Sequence, residues 1–282
     1  MNTFFLDRLN SEPHALAFAG QSTPWPVTLA DQSANPVLDE ALHTHADAAQ
    51  ALLYPVSADL LATTGRPVDL FGFEPNPARL GAAAAASASV PGIALAQLGA
   101  LLDAASLGYN PAVAKPVAVL GHSQGVLAVH MVQAIVEAGS IEAASAQIDE
   151  ILAIATLIGV AGTRQARQLG LAARHGEATP MLSVKDITRA QVDALIKRVS
   201  GARGPIAVAV TNSATHYVLS GYPEDLAAFG VEVAKEHKHQ AKLREEKVRG
   251  GRVFEPVLEY LDVTLPFHSP LMAEACLLYT SD

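Results

Sequence analysis

The sequence predicts an α/β protein built from one core and one inserted α+β subdomain. Three observations carry this expectation: a strand pattern that turns abruptly into a helical one at 117–130, a βαββαβ pattern over 179–261, and an apolar fraction of 50% in a chain of 282 residues. A chain of this length and composition buries a large core in one or two domains.

The first half of the chain is expected to form a strand followed by helices. HALAFAG, at 14–20, is typical of a short buried strand, and the loop GQSTPWPVT follows it. PVLDEALHTHADAAQALL and GAAAAASASVPGIALAQLGALLDAAS have helical patterns, with Pro91 marking a break or the first turn of the second helix. These elements belong to the predicted core, which comprises 1–178 and 262–275.

From Thr179 the pattern of the sequence changes. PMLSVKD predicts a strand, TRAQVDALIKRVS an amphipathic helix, PIAVAVTNSATHYVLSG a hairpin, YPEDLAAFGVEVAKEHKHQAKLREE a long helix and VFEPVLEYLDV a strand. This βαββαβ order is that of the ferredoxin-like unit. We therefore expect a ferredoxin-like subdomain over 179–261, inserted in the core.

The net charge and the hydropathy argue against two classes of partner. The chain has 19 Lys and Arg against 28 Asp and Glu, a formal net charge of -9, whereas a nucleic-acid-binding protein would present a basic face. We find neither the apolar core of a signal peptide nor an uninterrupted apolar run of membrane-spanning length. The prediction is a cytoplasmic protein that binds neither nucleic acid nor membrane.

The last seven residues, CLLYTSD at 276–282, resemble the translation of a common sequencing adapter. They follow PLMAEA without a turn or stop signal, so we expect a non-native tail and a natural protein that continues beyond Ala275. The core would then be truncated at its C-terminus. Cys276, the single cysteine, excludes an internal disulfide.

The stretch VAVLGHSQGVLAVH, residues 117–130, places a serine between two glycines where the strand pattern ends. In a Gly-x-Ser-x-Gly turn the backbone bends so sharply that Gly121 and Gly125 must lack side chains, and Ser123 is pushed out at the edge of the sheet. The following helix points its positive end at this hydroxyl, and the N–H of Gln124 is available to an oxyanion. The pattern indicates a serine nucleophile for acyl transfer in an α/β-hydrolase-like core.

A nucleophilic serine needs a base, and His268 is the best candidate among ten histidines. It follows a strand in LPFHSPLM and lies between two prolines, in a rigid loop of the kind that fixes a catalytic side chain. The other histidines considered are expected in the scaffold or on the surface: His122 as a packing or orienting residue, His130 buried, His43 and His45 on a solvated helix, and His237 and His239 exposed.

Four motifs, LAFAGQSTPW, GHSQG, VTNSATHYVLSG and LPFHSPLM, resemble in order and spacing those of the acyl-carrier-protein acyltransferases. These are the malonyl and acetyl transferases of fatty acid and polyketide synthesis. The residues of these motifs are most similar to those of the N-terminal acetyltransferase domain of the type I fatty acid synthases of mycobacteria and related actinobacteria. The resemblance extends over the chain as far as Ala275.

The resemblance implies a set of site residues. Ser123 would become acylated, His268 would act as general base and acid, and the backbone N–H groups of Gln21 and Gln124 would form the oxyanion hole. No acidic triad member is implied, because a backbone carbonyl or an amide from a more C-terminal segment usually orients the histidine in this family. Two further residues match the hairpin motif beside the substrate cleft: Asn212 and Ser213.

One departure from the family pattern concerns the acyl group. Malonyl-specific members carry an arginine on a helix after the elbow, where it pairs with the malonyl carboxylate. The matching run here is ILAIATLIGVAG, with Ile158 at the place of that arginine, and no arginine occurs between Ser123 and Arg164. An apolar side chain leaves a carboxylate unpaired, so acetyl is the predicted acyl group.

The implied reaction is a ping-pong transfer from acetyl-CoA, through an acyl-serine, to the phosphopantetheine thiol of an acyl carrier protein. It implies no metal and no redox cofactor, and the other domains of a fatty acid synthase as partners. Residues 233–252 contain seven basic and three acidic residues, which suits an acidic carrier domain, the phosphates of coenzyme A, or simply a solvated helix face.

Three alternatives remain open at this point. The chain could be a malonyl or other acyl-CoA transferase. It could be a serine esterase or thioesterase, for which Asp262 is the near candidate to orient His268. It could also be a non-catalytic structural portion of a large synthase.

Overall fold

The structure of the protein, a computed structural model, describes residues 8–21, 23–53, 69–72, 85–171, 178–199, 203–245 and 254–278. These residues form two compact units, 1–164 and 165–282, and each unit is described by itself. The predicted domain boundaries at 178/179 and 261/262 stay a prediction.

The first unit combines two short strands with helices. In chain order its elements are β1 (Ala15–Phe18), α1 (Trp25–Ser33), α2 (Pro36–Leu53), α3 (Ala86–Ser106), α4 (Pro111–Ala114), β2 (Ala118–Gly121), α5 (Val126–Ala138) and α6 (Ser145–Gln168), the last of which ends in the second unit. The second unit continues with β3 (Met181–Lys185), α7 (Arg189–Ile196), β4 (Ala207–Ser213), β5 (His216–Ser220), α8 (Pro223–Glu245), β6 (Val257–Tyr260) and α9 (Ala273–Leu278).

The two strands of the first unit pair in parallel, from Ala15 opposite Ala118 to Phe18 opposite Gly121. Parallel pairing brings the carboxyl ends of both strands to the same edge, so the loop after β1 and the turn after β2 begin side by side. The prediction of a buried β1 is wrong. Ala15 and Ala17 are exposed and their neighbours are half-buried, because within the described residues β1 pairs only with β2 and its alternate positions meet solvent.

Helix α3 is the centre of the first unit. It is buried around its circumference over most of 86–101, and α1, α2 and α5 pack against it. Pro91 neither breaks this helix nor lies in its first turn, as the sequence suggested, because the helix runs without interruption from Ala86 to Ser106. A proline inside a helix forfeits one intrahelical hydrogen bond and crowds the carbonyl group four residues earlier, a cost that the packing of α3 on several sides offsets.

Among the described residues, two helices, α3 and α6, are long and apolar enough by length and composition to cross a membrane. Of their most apolar windows, 67% is buried in α3 and 44% in α6. Core helices have the same composition as membrane spans, so two such helices are weak evidence for a membrane protein. The absence of a membrane partner stays a prediction.

The second unit contains the predicted βαββαβ arrangement. Its four strands are antiparallel and lie in the order β4-β5-β3-β6, with α7 and α8 as the two crossovers, which confirms the ferredoxin-like order. The helices cover one face of the sheet through fully buried side chains such as Val192 of α7 and Phe229 of α8. A second hydrophobic cluster contains Met181 and Val218 of the sheet, which pack with Val263 and Phe267.

Candidate active site

The turn between β2 and α5 has the geometry of a nucleophile elbow. β2 ends at Gly121, and a single 3₁₀ turn, Ser123–Gly125, leads directly into α5. Ser123 has a φ of 53°, in the left-handed region that residues with a side chain rarely adopt. Such backbone strain persists only where the surroundings enforce it, and it is concentrated at functional sites.

Both glycines of this turn are sterically required, as the motif predicts. A Cβ on Gly121 would lie 2.5 Å from the carbonyl carbon of Gly125 and from the nitrogen of Val126. A Cβ on Gly125 would overlap the carbonyl oxygen of Phe18 and lie 2.9 Å from that of Ala19. These neighbours are backbone atoms, so no rotation of a side chain can relieve the contacts.

We expect Gly125→Ala to destabilise the protein by about 1–3 kcal/mol, the usual cost of overpacking a tight site, or more because backbone must move. Urea unfolding followed by circular dichroism measures the change. Gly230→Ala is the matched control, because the nearest atom to its added Cβ would be 3.6 Å away and alanine favours the helix α8. Equal stability of wild type and Gly125→Ala would contradict the elbow geometry.

The loop after β1 passes directly against the elbow. A Cβ on Gly20 would lie 2.6 Å from the carbonyl oxygen of His122, 3.1 Å from Cβ of Ser123 and 3.5 Å from the nitrogen of Gln124. The absence of a side chain at Gly20 is therefore what lets the GQS loop approach the nucleophile. Gly20 was not among the predicted site residues, although a glycine two residues after a strand at this edge is a usable signal.

Gln21 and Gln124, the two predicted oxyanion donors, lie next to each other in the first unit. Nε2 of Gln21 donates a hydrogen bond to Oε1 of Gln124, and Nε2 of Gln124 donates to the carbonyl oxygen of Val90 at 2.5 Å. Both glutamines are half-buried. The structure thus brings the residue after the nucleophile and the GQS loop together, as the resemblance implies.

Ile158 lies half-buried on α6, in the first unit. Its neighbour Gly159 packs so closely on the first turn of α3 that a Cβ there would overlap the carbonyl oxygen of Ala86. Oγ1 of Thr163 accepts a hydrogen bond of 3.0 Å from the backbone N–H of Ser87. The first turns of α3 therefore contact the helix of Ile158 as well as, through Val90, the side chain of Gln124.

His268 lies in the second unit, exposed, in the predicted loop between two prolines. Its φ of 55° is again in the left-handed region. Oγ of Ser269 donates a 2.6 Å hydrogen bond to the carbonyl oxygen of Pro266, and Phe267 packs against the sheet. The loop that presents His268 is thus fixed on both sides of the histidine.

Asn212 and Ser213 are exposed at the end of β4, also in the second unit. Nδ2 of Asn212 lies 3.4 Å from Nε2 of His216, which is 3.1 Å from Oγ of Ser183, and Oγ of Ser213 accepts a 3.2 Å hydrogen bond from the N–H of Thr215. Polar contacts therefore hold this hairpin end in place. His216 was missed in the sequence analysis, although it stands within the quoted hairpin motif.

Two of the predicted histidine environments are wrong. His130 is exposed, because α5 turns Ala128, Met131 and Val132 to the core and His130 to the opposite side. His45 is buried rather than solvated, and its Nδ1 lies 2.6 Å from Oδ1 of Asp149 on α6. His122, expected to pack or to orient a neighbour, is exposed. His43 is exposed as predicted, and its ring stacks on that of Phe71.

The described part of the basic segment lies on α8, whose charges are partly neutralised. Lys235 pairs with Glu232 of the same helix at 2.6 Å. Glu236 pairs at the same distance with Arg198, which follows α7. Hydrogen bonds from Gln240 and from Arg198 lower the pKa of Glu236. The basic residues at 247, 249 and 252 lie outside the described residues.

Within the described residues, no group of three or more His, Cys, Asp or Glu side chains could hold a metal ion.

Residues 180–260 match the family model described as fatty acid synthase central AT domain. The fatty acid synthase beta subunit hexB of Dothistroma septosporum (strain NZE10 / CBS 128990) is 27% identical over 169 residues, which are 55% of this chain. The matched residues span only 9% of the length of this curated relative.

Solved structures of acyltransferases share the fold. The malonyl CoA-acyl carrier protein transacylase of Coxiella burnetii has a TM-score of 0.53 and 19% identity over 94% of this chain and 66% of its own. A loading acyltransferase from the avermectin modular polyketide synthase has a TM-score of 0.54 and 19% identity, over 92% and 64%. A malonyl-transacylase in complex with its type II polyketide synthase acyl-carrier protein has a TM-score of 0.53 and 17% identity, over 94% of this chain and 67% of its own.

These matches confirm the predicted α/β acyltransferase fold. The sequence matches are consistent with the family that the four motifs indicate: residues 180–260 match the central AT domain of fatty acid synthase, and the chain is similar in sequence to a fatty acid synthase beta subunit.

Proposed function

We propose that this protein transfers an acetyl group from acetyl-CoA, through an ester on Ser123, to the phosphopantetheine thiol of an acyl carrier protein in fatty acid synthesis. The elbow carries the proposal: Ser123 is held at a strained φ of 53°, between glycines that backbone contacts require. A hydroxyl held in this way at the start of α5 is placed for attack on a carbonyl group, next to N–H groups that can bind the resulting oxyanion.

The first half of the proposed reaction acylates the serine. His268 removes the proton from Oγ of Ser123 as Oγ attacks the thioester carbonyl carbon. The backbone N–H groups of Gln21 and Gln124 bind the oxyanion of the tetrahedral intermediate. Collapse breaks the carbon–sulfur bond, and the departing coenzyme A thiolate takes the proton from His268.

The second half moves the acetyl group to the carrier. His268 removes the proton from the phosphopantetheine thiol, and the sulfur attacks the acetyl ester on Ser123. The same two N–H groups bind the second oxyanion, and Ser123 recovers its proton from His268 as the ester bond breaks. Neither half changes an oxidation state or needs a Lewis acid beyond these donors, so we propose no metal or redox cofactor.

The proposed partners follow from this chemistry and from the relatives. One protein of similar fold is a malonyl-transacylase in complex with its acyl-carrier protein, and one relative in sequence is a fatty acid synthase beta subunit. They support a carrier protein and other synthase domains as partners, with coenzyme A thioester as donor. The exposed Lys238 and Lys242 on α8 are candidate contacts for the acidic carrier or the phosphates of coenzyme A. A cytoplasmic location stays part of the proposal.

The preference for acetyl over malonyl rests on Ile158. Ile158 is apolar and half-buried, on a helix that packs against the first turns of α3, whose Val90 contacts the elbow glutamine. Burying a malonyl carboxylate beside such a side chain, without a cationic partner, costs several kcal/mol. An acetyl group has no charge to desolvate, so it is the acyl group that this chain accepts.

We expect Ile158→Arg to shift the ratio of the kcat/KM values for acetyl-CoA and malonyl-CoA towards malonyl-CoA by about tenfold or more, because a bidentate guanidinium pairs the carboxylate. The ratio is measured in the wild type and the variant, with carrier-protein thiol as acceptor. Ile154→Arg is the matched control, because Ile154 lies one turn earlier on α6 and is 50% exposed. A wild type that prefers malonyl-CoA would overturn the acetyl assignment.

A further inference from the structure

The side-chain amide of Gln124 joins three separate segments of the first unit. Its Oε1 accepts the hydrogen bond from Nε2 of Gln21 in the loop after β1, and its Nε2 donates to the carbonyl oxygen of Val90 in α3. The backbone of Gln124 itself belongs to the elbow. Residues 103 and 34 positions away in the sequence are thus linked through one amide group.

The orientation of this amide follows from its partners. The carbonyl of Val90 can only accept a hydrogen bond, so it requires the nitrogen of the Gln124 amide, and the oxygen must then face Gln21. An amide both donates and accepts in this way, whereas a carboxylate only accepts and a thioether offers no donor. Glutamine is therefore the residue type that satisfies both contacts at this position.

The support behind the amide is rigid. Val90 is 2% exposed. Two residues further along α3, the fully buried ring of Trp25 packs so closely on Gly92 that a Cβ there would lie 2.5 Å from the ring. The loop on the other side carries its own anchors, because Nε2 of Gln97 donates to the carbonyl oxygen of Ala19 at 2.7 Å and Oγ1 of Thr23 to that of Gly20 at 2.6 Å.

We propose that the side chain of Gln124 is a positioning residue, which holds the backbone N–H of Gln21 in register with Ser123. The inference rests on the proposed function, because the two N–H groups must converge on one oxyanion. They belong to different chain segments, and the Gln21–Gln124 bond sets the spacing between these segments while Val90 fixes the amide in space. A side chain that holds a donor from behind in this way determines whether the donor lies within the narrow tolerance that catalysis requires.

The test compares Gln124→Met, Gln21→Met and the double variant with the wild type. Each keeps the backbone N–H and a similar side-chain volume but removes the amide link. Because an oxyanion exists only around the transition state, we expect kcat for acylation of Ser123 to fall about tenfold to a hundredfold while KM for acetyl-CoA stays within about twofold. The double variant should lose no more than the worse single variant, since both remove one link.

Gln32→Met is the matched control, because Nε2 of Gln32 also donates to a carbonyl oxygen of α3, that of Ala96 at 2.9 Å, away from the elbow. We expect it to leave kcat unchanged. The order parameter of the Gln21 backbone amide, measured by ¹⁵N relaxation, gives a readout that needs no activity: it should fall from about 0.85 to below about 0.6 in Gln124→Met and stay unchanged in Gln32→Met. Should Gln124→Met fail to fold, Gln21→Met cuts the same link from the other end.

The outcomes separate the two proposals. An unchanged order parameter at Gln21 in a folded Gln124→Met, a loss confined to KM, or an equal loss of kcat in Gln32→Met would each overturn the positioning role. If the wild type takes no acyl group on Ser123 from any acyl-CoA, the proposed function fails, and the order parameter of Gln21 alone then decides whether Gln124 holds the loop.

Discussion

Ser123→Ala is expected to abolish acylation of the protein. The hydroxyl of Ser123 is the nucleophile in the proposed mechanism, and the elbow presents that one side chain at the start of α5. On one side it is followed by Gln124, whose side-chain amide is engaged by Gln21 and by Val90. The measurement is the intact mass of the protein after incubation with acetyl-CoA, followed by peptide mapping of the acylated residue.

Two variants make this result specific. Ser89→Ala removes a buried hydroxyl on α3 that has no hydrogen-bond partner within the described structure, and it should leave acylation intact. Ser123→Gly should lose acylation as completely as Ser123→Ala but gain about 1 kcal/mol of stability, because glycine adopts a φ of this sign without strain. Undiminished acetylation of Ser123→Ala would show that another residue is the nucleophile.

His268→Ala is expected to lower the acylation rate by about a hundredfold or more, the usual effect of losing general-base catalysis. Because His268 has a φ of 55°, alanine there adds backbone strain that could be confused with lost chemistry. His268→Asn avoids this problem, since asparagine tolerates the left-handed region but provides no base. Both variants should lose the same catalytic factor, measured as the pre-steady-state rate of acyl-enzyme formation.

The controls for the base are other histidines. His122→Ala changes the residue beside the nucleophile, and His130→Ala changes an exposed position about one turn into α5. Both variants should keep the wild-type rate. If either variant loses activity as severely as His268→Asn, without loss of stability, the assignment of the base is wrong. Circular dichroism melting of each variant separates lost chemistry from lost folding.

Those parts of the fold that depend on local pattern could be predicted from the sequence. The period of two in PMLSVKD and the helical spacing in TRAQVDALIKRVS define β3 and α7, and their order fixes a ferredoxin-like unit because few topologies connect βαββαβ. The elbow is equally local. Gly121, Ser123 and Gly125 lie within five residues, and the steric reason for both glycines is contained in the turn and in the strand beside it.

Burial, by contrast, was decided by tertiary contacts. His45 and His130 stand in similar helical patterns, yet His45 is buried against Asp149 and His130 is exposed, because each depends on which neighbouring helix covers that face. The apolar helices α3 and α6 pose the same problem, since composition does not distinguish a core helix from a membrane span. Pro91 is accommodated in α3 by the packing around it rather than by its own preference.

The sequence by itself determined the strands and helices of the ferredoxin-like unit, the elbow and the choice of Ser123 and His268 as candidates, because these follow from residues close together in the chain. Only the tertiary structure decided that Gly20 gives the GQS loop access to the elbow and that one glutamine amide ties Gln21 to Val90. The physical reason is distance along the chain. A hydrogen bond between residues a hundred positions apart leaves no periodic pattern in the sequence, and its partners become neighbours only when β1, β2 and α3 have packed.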